Sequence, residues 1–451
     1  MTQVGRFLPL LWLLTMLPSW AVAGDKIPGD TPCTGQITYQ SDKDDAYKYL
    51  ENLQRQIYAQ NPQLADPYSR AEMNQPRSVE TMTELKVRVL KTCPDPSSPV
   101  QCAFKPDVID RIIKEFSCRP LPTRFESPFF AVLINLYTTE LDKVRTNHFP
   151  ESPITRFGSL PTGTFDAQAI LPPGSNMPLV ILNRDIFFFT GALSKAIVDS
   201  IPIVEEGKSV HLKYTEEAIR TRLSDHAYIV HNFADAMSRL VKEGSSSGAT
   251  EVLLDNDHNQ LHARLVAAMD RFLISHEEAH VILGHVSDQS VEFRLAGSHG
   301  KGTAVKLTAS KLPRKLPTND LTLKAELRTR EQELQADALG FNLMIWSEEV
   351  QGNRLSESVS GAAPIMIFRV LDAANAYGSE AGGWTFSDSN HPTAADRIKA
   401  LSPVFDEVAK TSEPLRESDF RIPFDAAFKV LLEEADPGIR QNLGLPSKKT
   451  K

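Results

Sequence analysis

The 451-residue chain has only four cysteines, none of them in a Cys-x-x-Cys pair, and it shows no internal repeat. Paired cysteine spacings are what a structural zinc knot requires, so that class is set aside. Glycine-rich phosphate loops are missing too, because Gly297, Gly300 and Gly302 have neither dinucleotide nor Walker spacing and read as a loop. Positive charge is outnumbered. The 49 Lys and Arg stand against 57 Asp and Glu, a formal charge of −8, which argues against a nucleic-acid partner. The most apolar internal stretches, 128–137 and 177–193, are too short or too interrupted to cross a bilayer, so no spanning segment is expected after the leader.

Against these absences, 41% hydrophobic residues and 22 Phe give material for a real core, and the length suits two or three domains. The chain opens with Arg6, an apolar run over 7–17 and Ala21-Val22-Ala23 before Gly24. That charge, core and small-residue order predicts a secretory signal over 1–23 cleaved after Ala23, and hence a periplasmic or secreted protein. Loss of Arg6 takes the formal charge from −8 to −9. In an oxidising compartment Cys33, Cys93, Cys102 and Cys118 are expected to form two disulfides.

Helical periodicity over 41–60, with Tyr47, Leu50, Leu53 and Ile57 on one stripe, and over 79–91 and 108–116, predicts a helical, disulfide-bonded region across 24–155. Pro150, Pro153, Pro161, Pro172 and Pro173 punctuate its end. Residues 179–189 read as a strand ending at Thr190-Gly191, with a helix over 192–198. The segment Gly244-Ser245-Ser246-Ser247-Gly248 matches Gly-x-Ser-x-Gly, but helical residues precede it where a nucleophile elbow needs a strand. It reads as a flexible linker.

The sharpest feature is His276-Glu277-Glu278-Ala279-His280. On a helix, residues four apart share a face, so both imidazoles can point at one ion with Glu277 beside it, the spacing of a zinc hydrolase. Leu261, Leu265, Met269, Phe272, His276, Ala279, His280 and Leu283 form the inward stripe; Arg264, Arg271 and Glu278 fall opposite, where Glu278 is expected to be solvated. A catalytic zinc takes three protein ligands, so one is missing. His285 lies nine positions after His276 and faces the other side of a continued helix, while Leu283 and Val286 exclude the metzincin pattern. A second helical pattern supplies Glu333 as third ligand. Asp337, one turn on, would accept the free N–H of a ligating histidine, and Ala336 and Gly340 would let the two helices approach closely.

Three blocks in order, His276-Glu277-x-x-His280, Glu333-x-x-x-Asp337 and Asn390-His391-Pro392 followed by Arg397, make the chain resemble the gluzincin metallopeptidases. The resemblance is to the minigluzincin group, which includes CaaX prenyl proteases and periplasmic outer-membrane quality-control proteases. It covers about 160–402 and implies an α+β fold: a predominantly helical zincin-like catalytic domain with a small β-sheet over 156–402, and 403–451 as a C-terminal extension. It further implies Zn2+, a protein or peptide substrate, Glu277 as general base, and His391 with Arg397 near the oxyanion, or His391 as a blocking fourth ligand. Substrate is expected to add along an exposed strand, with 179–189 as candidate, while Phe187, Phe188 and Phe189 in succession suit a central buried strand equally well. The alternative from another class is a zinc-binding chaperone or assembly factor that does not cleave.

Overall fold

The computed structural model describes residues 38–61, 120–162, 165–206, 209–246, 249, 254–286, 292–294, 304–306, 330–351, 358–383, 392–412 and 419–447. The leader, the four cysteines, the 79–91 and 108–116 helix signals, the 297–302 glycine cluster, Asn390 and His391 lie outside the described residues. The described chain is mostly helix with a small mixed sheet, as an α+β fold requires. It divides into one unit of Met1–Leu136 with Phe157–Pro161 and another of Tyr137–Arg156 with Thr162–Lys451.

In the first unit, α1 (Asp45–Gln60) starts where Asp44 Oδ1 accepts from the N–H groups of Ala46 and Tyr47 at 3.0 and 3.2 Å. The expected stripe of Tyr47, Leu50, Leu53 and Ile57 is buried, on a helix that begins four residues later than the periodicity began. Several buried carboxylates in this unit are paired. Glu126 accepts from the Ser159 N–H at 2.9 Å and from Gln54 Nε2 at 3.2 Å, while Glu51 accepts from Ser41 Oγ at 2.5 Å and pairs with Arg124. The division between units falls inside α2 (Pro128–His148), and β1 (Arg156–Leu160) follows it.

The second unit begins its sheet with β2 (Ala167–Ile170) antiparallel to β3 (Leu179–Asn183), Ala167 opposite Leu182 and Ile170 opposite Leu179. The strand expected over 179–189 is shorter than its β-branched and aromatic run suggested. It ends at Asn183, and Phe187, Phe188 and Phe189 belong to α3 (Asp185–Asp199), because aromatic residues are compatible with a helix whose neighbours bury them. A small antiparallel pair, β4 (Ile203–Glu206) and β5 (Ser209–Leu212), leads to α4 (Glu216–Asp225) and α5 (Tyr228–Glu243). Helix α5 stops at Gly244 in the left-handed region, φ 75°, so a helix, not a strand, precedes the serines. Ser245 and Ser246 are buried rather than solvated as a linker would be, and Ser245 Oγ donates to the Asp185 carboxylate.

Next comes α6 (Asn256–Ile282), opened by Asp255, whose Oδ1 accepts the His258 N–H at 3.0 Å. Beyond β6 (Glu292–Arg294) and its antiparallel partner β7 (Ala304–Lys306), the described residues include α7 (Arg330–Gln351), α8 (Ala363–Ala381), α9 (Ala394–Thr411) and α10 (Arg421–Leu443). Helix α6 packs against α3, α7, α8 and β2, and α10 packs against α5. Phe272 of α6 meets Phe368 edge-on at 5.8 Å, and Phe341 of α7 meets Phe405 at 4.3 Å. Phe424 and Leu431 of α10 belong to the same core, so the stretch after 402 helps to enclose it. Each such side chain stabilises the fold by about 1.5–3 kcal/mol. No helix among the described residues is long and apolar enough to cross a membrane.

Candidate metal centre

Helix α6 is enclosed on every side along its second half, and this overturns the expected solvated face. Arg271 and Glu278 are 4% and 1% exposed, and only Arg264 retains partial exposure. The polar groups on that face meet partners inside the protein, while Arg271 Nε and one oxygen each of Glu278 and Glu348 have no hydrogen bond. Arg271 pairs with Glu348 of α7 and lies over the Tyr137 ring at 5.4 Å. Asp270 accepts from Thr190 Oγ1 at 2.6 Å and from Tyr137 Oη at 3.3 Å. Glu278 lies 3.8 Å from Arg145, and burial, opposed by a hydrogen bond from Thr155 and the charge of Arg145, pushes its carboxyl up to about 8. Seven-residue spacing gives the angular position of a side chain, but whether that position meets water depends on what packs there.

On the other face, His276 and His280 bring their Nε2 atoms to 3.2 Å, with the rings edge to face. Glu333 of α7 completes the group. Its Oε2 is 3.4 Å from His276 Nε2 and its Oε1 is 3.5 Å from His280 Nε2, so the carboxylate straddles the two imidazoles. One ligand atom from each residue lies within 4.8 Å of the others, and all three residues are buried. Two imidazole nitrogens this close to each other and to a carboxylate, away from water, require a proton or a cation between them. This buried group can hold a metal ion.

The outer contacts are directional. His276 Nδ1 is 3.0 Å from Asp337 Oδ1, and Arg397 of α9 reaches Asp337 with Nε at 2.7 Å and Nη2 at 2.5 Å. Arg397 also stacks over Phe368 at 4.2 Å. Burial works against a charged Asp337, but Arg397 and His276 hold its carboxyl below the usual range. Burial likewise disfavours a charged His276, yet hydrogen bonds to Asp337 and Glu333, with their charges, push it up to about 9 in the metal-free protein. Glu277 is buried beside the group, with Oε1 4.0 Å from His276 Nε2.

Of the residues expected from the sequence, His276, Glu277, His280, Glu333, Asp337 and Arg397 come together, whereas His391 lies outside the described residues. Arg397 lies on α9, which begins at Ala394 with Thr393 Oγ1 accepting the Asp396 N–H at 3.2 Å and runs for 18 residues. The strand expected to receive substrate is closed to that use. All five residues of β3 are buried, one edge pairs with β2, and the Arg156 N–H donates to the Pro178 carbonyl at its start. His285 does not lie on a continued helix, since α6 ends at Ile282 and the chain turns back. The signal for this was Gly284, whose place just after an apolar helical run marks a left-handed stop. Comparison of the chain with protein families, curated proteins and solved structures gives no match.

Proposed function

We propose that this protein is an exported, zinc-dependent endopeptidase, related in its site to the gluzincin metallopeptidases. The observation that carries the reading is the His276, His280 and Glu333 cluster with Glu277 at its edge. For metal–ligand bonds of about 2.0–2.1 Å at tetrahedral angles, ligand atoms sit about 3.3–3.4 Å apart. The separations of 3.2, 3.4 and 3.5 Å fall close to that. Two nitrogens and one carboxylate are the three-ligand set that would hold a catalytic rather than a structural zinc.

When bound, zinc supplies Lewis acidity that polarises a peptide carbonyl and makes water a nucleophile near neutral pH. Glu277 takes the proton from the attacking water on a carboxylate oxygen and passes it to the leaving amine. With a metal bound, Asp337 would accept the Nδ1–H of His276 and so leave Nε2 free to ligate, and Arg397 fixes Asp337 in turn. Arg397 is therefore a positioning residue on this reading. A chaperone that merely bound zinc would have no use for the carboxylate of Glu277. The leader pattern at 1–23 supports export.

The test is digestion of an unfolded protein substrate by wild type, Glu277→Gln and Glu333→Ala, with zinc content measured alongside. We expect stoichiometric zinc and cleavage in wild type, zinc without cleavage in Glu277→Gln, and neither in Glu333→Ala. Cleavage that persists in Glu277→Gln and in the presence of chelator would end this reading.

A further inference from the structure

The two imidazoles of the cluster have different outer partners. His276 has Asp337, while His280 Nδ1 lies 3.1 Å from Nδ1 of His285, a residue outside the helix. The geometry points to His285 as the positioning residue for His280, the group that accepts its Nδ1–H and so fixes its Nε2 lone pair towards the cluster. This rests on the metal reading of His276, His280 and Glu333.

The argument runs through the end of α6. The Gly284 N–H donates to Val281 O at 3.1 Å and the His285 N–H donates to His280 O at 2.8 Å, with Gly284 at φ +69°. This is a Schellman arrangement, which places the second residue beyond the cap against the third residue before it. An apolar contact usually joins those two positions; here they are His285 and His280. The hydrogen bonds that stop the helix therefore also bring the second imidazole within reach of the first. A ligating nitrogen must carry a lone pair, so with Nε2 of His280 in the cluster its proton sits on Nδ1. His285 Nδ1 then accepts, which requires the proton of His285 to be on Nε2. No cation and no second carboxylate is needed to orient His280. Leu283, between the two histidines, is 39% exposed and only caps the helix, so the role does not belong to the turn as a whole.

The test uses the full chain stripped of metal and titrated with zinc against a competing chelator. His285→Phe keeps a ring of similar size and removes the acceptor, whereas His285→Gln keeps an acceptor. We expect about ten- to a hundredfold weaker zinc binding for His285→Phe and a smaller loss for His285→Gln, as for other outer partners of metal ligands. The metal-free melting temperatures of both should match that of wild type. Equal zinc affinity in His285→Phe and wild type overturns the proposal and leaves the metal site standing. A wild type that takes up no zinc overturns the site, and the proposal with it. Independently of any variant, long-range proton–nitrogen spectra of the zinc-loaded wild type should show His280 protonated at Nδ1, and an unprotonated Nδ1 there refutes the assignment.

Discussion

Gly340 of α7 lies so close to His276 of α6 that a Cβ built on it would come within 2.8 Å of His276 Cα and 2.9 Å of His276 N. These are backbone atoms, so no rotamer change relieves the contact. The glycine sets how near Glu333 and Asp337, on the same helix, approach the two imidazoles.

Replacing Gly340 with Ala should therefore push α7 away from α6. The expected cost is about 1–3 kcal/mol of stability, typical of overpacking against an unyielding neighbour, together with weaker zinc binding. Denaturant unfolding and zinc competition measure the two effects. Unaltered stability and affinity would mean that the helices have room to spare.

The same helix pair is held further along by Arg271 and Glu348, both buried. Glu348→Gln removes the ion-pair partner of a buried guanidinium and should lower stability by about 3–5 kcal/mol. Arg271→Met combined with Glu348→Leu should recover most of that loss, because two apolar groups replace two charges. Urea unfolding of the three proteins tests this, and a double variant no better than the single one contradicts it.

Zinc uptake should be linked to protons. In the metal-free protein His276 is pushed up to about 9, so it holds a proton at pH 7 that coordination must expel. Apparent zinc affinity should rise with pH by up to about tenfold per unit from 7 towards 9 and then flatten. Calorimetry at pH 7 in buffers of different ionisation enthalpy should report about one proton released on this account. Buffer-independent heats would show that His276 is already neutral.

Glu278 gives a stability prediction of the opposite sign from that of an ordinary paired carboxylate. Its folded value of about 8 lies above its ordinary 4.5, so the folded chain binds the extra proton more tightly than the unfolded chain does. The resulting penalty is absent below about pH 4.5, grows as pH rises to about 8 and stays constant above. Glu278→Gln removes it. The melting temperature of this variant should exceed that of wild type at pH 9 and match it near pH 4.5, whereas a constant difference across that range would be evidence against a raised carboxyl.

Much of the site was legible because helical spacing is local chemistry. His276, Glu277 and His280 occupy one turn, and Glu333 and Asp337 another, so their faces follow from 3.6 residues per turn. The small residues Ala336 and Gly340 announced a close approach that the Gly340–His276 contact realises. Less legible was everything that depends on a neighbour distant in sequence. The same periodicity put Glu278 and Arg271 opposite the histidines, but it carried no information about Arg145 or Glu348, which make that side an interior. Phe187, Phe188 and Phe189 suit a buried strand as well as a buried helix, and local propensity gave the wrong one.

The sequence by itself thus determined the ligand-bearing turns, since each is set by helical spacing within a few residues of the chain. The tertiary structure decided that Glu333 reaches the two imidazoles, that Arg397 lies on Asp337, that Arg271 and Glu278 of α6 are buried and that His285 turns back to His280. Those relationships bring together groups on separate elements, or beyond a helix end. They are fixed by the packing of whole helices and by the cost of leaving a buried charge without a partner, neither of which local spacing records.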